Sequence, residues 1–188
     1  MGDSLITVVA IFLAAVLMFV FPLMAVSERT DDIAELSAQT ATAEFVDNIR
    51  ATGKLSLADY DQFVQEINSS GNSYEIDIQV MVKDENIGIK VTQEDKDKIG
   101  ENEYYNVYTT QILDALQEKY QELEGQNVLS PEEKARITLK EGDIVSVKVK
   151  NTNVTISQLL RNFLYHVTGD DTYQIAAEAA GIVTVNGK

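Results

Sequence analysis

Hydrophobic positions follow two different patterns in the first quarter of this chain. From Leu5 to Val26 every residue is uncharged, and all but Thr7 and Pro22 are apolar, so no polar face interrupts the run. From Ser27 to Thr52 charged residues return while Pro and Gly are absent, and Ile33, Leu36, Ala41, Phe45, Val46 and Ile49 recur at about the spacing of one helical face. Together these patterns predict one nearly continuous helix from about Ser4 to Thr52, capped by Gly53 and about 70 Å long. Its first half is apolar all round and its second half is striped. Pro22 sits inside it, where the missing amide hydrogen bond should bend or locally loosen the rod.

Beyond Gly53 short helices and strands are expected to alternate. Ser56 suits a helix N-cap, Leu55 and Tyr60 can form a hydrophobic staple, and Tyr60, Phe63, Val64 and Ile67 make one apolar face. The stretch YEIDIQVMVK alternates strictly, with Tyr74, Ile76, Ile78, Val80 and Val82 on one side, and reads as a strand buried on one face. A helix from Tyr104 to Leu123 is marked by Tyr105, Tyr108, Ile112, Leu116 and Tyr120. Next comes a surface connection, with a short helix capped by Ser130 ahead of Pro131. IVSVKVK is a second strand with Val145, Val147 and Val149 inward. A capping box from Thr155 to Gln158 opens a helix presenting Ile156, Leu159, Leu160, Phe163 and Val167. The last strand, YQIAAEAAGIVTVNG, keeps Tyr173, Ile175, Ala177, Val183 and Val185 on one side, with Gly181 marking a bulge or a close approach. The expected fold class is therefore α+β: the long helix packed on a small antiparallel sheet of about three strands, with additional short helices. Residues 1–53 form the helix, with 5–26 as its apolar segment and 27–53 as an amphipathic stalk. Residues 54–188 form an acidic head, packed on the stalk through Ile33, Leu36, Phe45 and Ile49.

The fate of the apolar run decides how the rest of the chain is used. A cleaved signal peptide should open with basic residues and end in a small-x-small site. Here Met1, Gly2, Asp3 and Ser4 precede the run, and Leu23-Met24-Ala25 stands where cleavage would be sought. With about 22 residues, or about 33 Å as a helix, the run can cross a bilayer. No Lys or Arg precedes it and the flank after it is net acidic, so charge gives little guidance on orientation. The head is expected outside the cytoplasm.

Charge changes the picture further. Thirty acids against fifteen bases leave a net charge of −15, nearly all of it after the run. Nucleic acid is excluded as a partner, since phosphate binding needs clustered Lys and Arg, and anionic lipid should repel the head. Cysteine is absent, which removes disulfides, thiolate catalysis and Cys-based metal sites.

The N-terminal region GDSLITVVAIFLAAVLMFVFPLMA, Pro22 late in the apolar half, and the amphipathic continuation to about Thr52 resemble the type IV pilin-like superfamily, including the TadE-type proteins of tight-adherence systems. The resemblance covers a little over a quarter of the chain. It implies a structural subunit of an extracellular pilus or pseudopilus. The apolar helix would rest in the membrane before assembly and in the filament core afterwards, packed on copies of itself and handled by an assembly machinery. By the same resemblance, Leu5, Val9, Phe12, Leu13, Val16, Phe19 and Pro22 would line the core. Gly2 would be the processing glycine, and Asp3 the only carboxylate able to meet a neighbour's N-terminal amine, since Leu5 to Val9 carries no acid. The alternative is a single-pass anchored accessory component of a secretion or conjugation apparatus that stays in the membrane.

No catalytic inventory competes with these readings. His166 is the only histidine and falls in the last turn of an expected helix, where the dipole favours a cation. A lone imidazole is not a zinc site. DENIG, with Asp84, Asn86 and Gly88, imitates the start of a calcium loop, but the later carboxylates are missing at loop spacing, and turn chemistry explains it. QEDKDKIGENE reads as a solvated charged loop. No nucleophile elbow, phosphate loop or dinucleotide fingerprint appears. No cofactor and no enzymatic activity are expected.

Overall fold

A computed structural model describes residues 2–84, 104–126, 128–164 and 176–187. The N-terminal region is one rod made of α1 (Gly2–Ala15), a π-helical turn (Val16–Val20) and α2 (Phe21–Thr52). The π turn lies just before Pro22, whose missing amide leaves the Met18 carbonyl without its α-helical donor. Loosening thus takes the form of one widened turn. The rod ends at Gly53, which adopts the left-handed conformation (φ 64°) and donates its N–H to the Ile49 carbonyl.

The chain then forms β1 (Lys54–Ser56), α3 (Leu57–Asn68), β2 (Tyr74–Lys83), β3 (Tyr104–Tyr108), α4 (Thr109–Glu124), α5 (Pro131–Lys134), β4 (Arg136–Thr138), β5 (Ile144–Asn151), α6 (Ile156–Leu164) and β6 (Ala176–Ile182). Four strands make an antiparallel sheet in the order β3-β2-β5-β6, while β1 and β4 pair as a separate ribbon. In register, Ile78 faces Val147, Val80 faces Val145, and Val149 faces Ala177. This row is buried. The rod packs on it through Ala34, Ala38, Ala41, Thr42, Phe45, Val46 and Ile49. The Phe45 ring also stacks on Phe63 of α3, with centroids 4.4 Å apart.

The α+β class, the rod and its cap are as expected, and the sheet has four strands rather than about three. Tyr104–Tyr108 is strand, not the start of a helix. Tyr105, Tyr108 and Ile112 fit a helical period, but β2 offers a free edge and the aromatic and β-branched stretch pairs with it from Gln79 to Lys83. Where that ladder ends, the Thr109 hydroxyl accepts the Ile78 N–H at 2.6 Å and α4 begins. The β1–β4 ribbon has no counterpart in the hydrophobic pattern, because three-residue strands carry no period. Ser130 precedes α5 in a left-handed conformation and makes no side-chain cap. Ser56 does cap α3, its hydroxyl accepting the Asp59 N–H while the Asp59 carboxylate accepts the Ser56 N–H. Val185 is exposed instead of facing inward. DENIG beyond Asp84, QEDKDKIGENE, His166, Val167, Tyr173 and Ile175 lie outside the described residues.

Two glycines settle where the head meets the end of the rod. A Cβ on Gly53 would stand 2.4 Å from the Val185 carbonyl oxygen and 2.5 Å from the Gly187 nitrogen, so the C-terminal segment crosses directly over the helix cap. At Gly181 the expected close approach is made by Arg50, whose guanidinium lies over the missing side chain and donates from Nε to the Ile182 carbonyl at 3.1 Å.

Candidate assembly surface

The rod carries two apolar faces built from residues of different size. Toward the head it presents alanines at positions 34, 38 and 41, which let the sheet approach closely, followed by Phe45, Val46 and Ile49. Ile33 and Leu36, expected to pack on the head, instead point away from it, 59% and 65% exposed. The correction has a steric reason. One step of a helix turns a side chain by about 100°, so the face through Ala34 and Ala38 cannot also carry Ile33 and Leu36. Phe45 and Ile49 are buried in the core.

Below the head the rod is bare. None of its most apolar 18-residue window is buried, and the helix from Ser4 to Thr52 is long and apolar enough to cross a membrane. Leu5, Val9 and Phe12 recur at four- and three-residue steps and therefore share one side of α1, with Leu13 beside them, and Val16 follows four residues on at the start of the π turn. Phe19 lies in the π turn and Pro22 opens α2; both are exposed. Asp3 lies in α1, its side chain outside the described part. Val26, Ile33 and Leu36, at steps of seven and three, extend an exposed apolar line from the run onto the stalk.

At the junction of run and stalk a polar clamp holds α6. Asp31 of α2 is buried, and one of its carboxylate oxygens accepts hydrogen bonds from Thr155 (2.8 Å) and Ser157 in the first turn of α6. Arg161 in the last turn donates to Glu28 at 2.8 and 3.1 Å. The Thr155–Gln158 capping box is formed. An anion at a helix N-terminus also interacts favourably with the helix dipole. The sequence signalled the capping box but not its acidic partner, which lies 124 positions away. With its polar side on the rod, α6 leaves Ile156 and Leu159 exposed.

A cavity of about 530 Å³ opens between β2, β3, α4 and β4. At its edge, Asp143 accepts the backbone N–H groups of Lys83 and Lys140, a structural use of that carboxylate. The Tyr60 phenol is raised by burial and by neighbouring Asp61, and that of Tyr120 mainly by Glu124. No group of three or more His, Asp or Glu in the described residues could hold a metal. In comparisons with known proteins, no family model, no curated protein and no solved structure matches this chain.

Proposed function

We propose that this chain is a structural subunit of an extracellular pilus or pseudopilus, inserted in a membrane through its rod and assembled by packing that rod against copies of itself. The observation that carries the reading is the extent of the rod's apolar surface. It runs from Leu5 to Val26 and continues through Ile33 and Leu36, on the side away from the head. Ile33 lies about 10 Å beyond Val26 along the helix, past what a plain anchor needs. Covering each such side chain is worth on the order of 1.5–3 kcal/mol, and an identical rod offers a surface of matching character. The resemblance of the first quarter of the chain to pilin-like proteins points the same way. An assembly machinery is the further partner, and the head is acidic and carries no enzymatic activity in this reading.

A second reading, a single-pass accessory subunit that stays in the membrane, is favoured by one feature: Leu5 to Val9 holds no acid to meet a neighbour's N-terminal amine. Fibres sheared from cells separate the two. If rods pack on rods, the fibres contain this chain with residues 5–26 intact, and Leu13→Lys or Val16→Asp abolishes them while the head keeps its fold. Normal fibres from Leu13→Lys overturn the proposal, and recovery of the unaltered chain only in the membrane fraction favours the accessory subunit.

A further inference from the structure

We propose that α6 is a membrane-interface helix that lays its exposed apolar face into the headgroup layer of the bilayer that holds the rod. The inference rests on the membrane-inserted reading above and adds a second contact with lipid.

Three observations carry it. The first is height. α6 is clamped to Glu28 and Asp31, about 3 and 8 Å along the helix from Val26, where the uncharged run ends. The polar layer of a bilayer is roughly 5–8 Å deep on each side, so an upright rod puts α6 within it. Because its first turn meets Asp31 and its last turn meets Glu28, α6 slopes toward the bilayer end of the rod.

The second observation is orientation. The hydrophilic side of α6, Ser157 and Arg161, is turned inward to the rod, while Ile156 and Leu159 are 62% and 58% exposed. Val154, just ahead of the helix, is exposed as well. An amphipathic helix beside a soluble core normally turns its apolar side inward. Here Ile156 and Leu159 of that side face outward, with Leu160 half-buried, at the one level of the molecule where an apolar solvent is close by.

Charge is the third. Between Asp143 and Asp170 there is no Asp or Glu, the longest acid-free stretch of an otherwise acidic chain; the next longest is Ser4 to Ser27, the membrane run itself. The clamp joins α6, inside the first of these stretches, to Glu28 and Asp31, just past the end of the second. Acidic side chains resist both the low-dielectric interface and the negative potential of anionic lipid; α6 carries none, and Glu28 and Asp31 of the rod beside it accept hydrogen bonds from Arg161, Thr155 and Ser157. Helices that lie in an interface sink their apolar side about 5–10 Å into the headgroup and acyl boundary, the depth at which Leu159 would sit.

The chain has no cysteine, so single reporters can be placed at will. Leu159→Cys, Ile156→Cys, Leu13→Cys and Leu129→Cys, each in the full chain, would carry an environment-sensitive fluorophore in sparsely loaded phosphatidylcholine vesicles. Leu129 is the water reference, at 87% exposure on the head. The expected result is blue-shifted emission at positions 13, 156 and 159, quenched by lipids bearing a nitroxide on the acyl chain and protected from aqueous iodide, with the reverse at position 129. If position 13 reports lipid while 156 and 159 behave like 129, the interface helix is wrong and the anchored rod stands. If position 13 also reports water, the membrane reading fails with it. Nitroxides at position 159 that couple to one another at every dilution in lipid would assign the face to a second copy and overturn the proposal.

Discussion

Gly53 concentrates two constraints in one residue. Its left-handed backbone caps the rod, and its missing side chain makes room for the C-terminal segment, whose Gly187 N–H reaches the Leu139 carbonyl at 2.9 Å just beyond. Gly71 shares the positive φ, at 81°, but a Cβ there meets nothing within 4 Å. Gly71→Ala should therefore cost only the strain of the backbone, on the order of 1 kcal/mol. Gly53→Ala adds a backbone clash and should cost on the order of 1–3 kcal/mol or more, read as a lower denaturant midpoint for the full chain in detergent. Equal losses at the two sites would mean that the C-terminal crossing does not hold the cap. Asp31 permits a second test at this scale. Asp31→Ala strips two buried hydroxyls of their acceptor and should cost about 1–3 kcal/mol. Asp31→Asn retains an acceptor oxygen and should cost less. Breaking the half-exposed Arg161–Glu28 pair should matter little, about 0–1 kcal/mol.

At the scale of elements, the two sides of α2 differ in how strongly they respond to mutation. Ala38→Leu forces three carbons into contact with a close-packed sheet and should destabilise by about 1–3 kcal/mol. Leu36→Ser, on the outer side, should stay within about 0.5 kcal/mol of the unaltered protein. Equal effects would mean that the faces have been exchanged. The same two faces mark the reach of periodicity. The rod, its cap at Gly53, the strands built on Tyr74–Lys83 and Val145–Val149, the N-cap at Ser56 and the capping box at Thr155 were legible, because each arises from local spacing or local hydrogen bonding. Which apolar side of the stalk meets the head was not. Ile33 and Leu36 are the larger hydrophobes, and transfer energy alone turns them inward; close approach of helix to sheet favours Ala34 and Ala38 instead. Strand β3 and the β1–β4 ribbon exist through pairing with distant edges, information that a short window does not contain. Of the candidate assembly residues, those on the rod were readable as an apolar run, whereas the clamp of Asp31 on α6 arises only when residues 124 positions apart come together.

For the whole molecule, assembly sets one attraction against one repulsion. Heads carrying most of a net charge of −15 repel one another when rods are brought side by side, and exposed apolar surface on the rods must outweigh that. Screening is nearly complete beyond about 10 Å at 0.1 M salt, so the balance turns on what the rods bury in direct contact. Ile33 and Leu36 test this outside the bilayer run, where loss of membrane insertion does not confuse the outcome. If both are covered in the fibre, Ile33→Ser with Leu36→Ser should remove about 3 kcal/mol per subunit. At 1.4 kcal/mol for each factor of ten, that raises the critical concentration for fibre reassembly after detergent dilution about a hundredfold. The unfolding midpoint should not move, because both side chains are largely exposed in the folded chain. A lowered midpoint would mean that the pair supports the fold after all. An unchanged critical concentration with an intact fold would mean that the stalks stand apart in the fibre and that contact between rods is confined to the run from Leu5 to Val26.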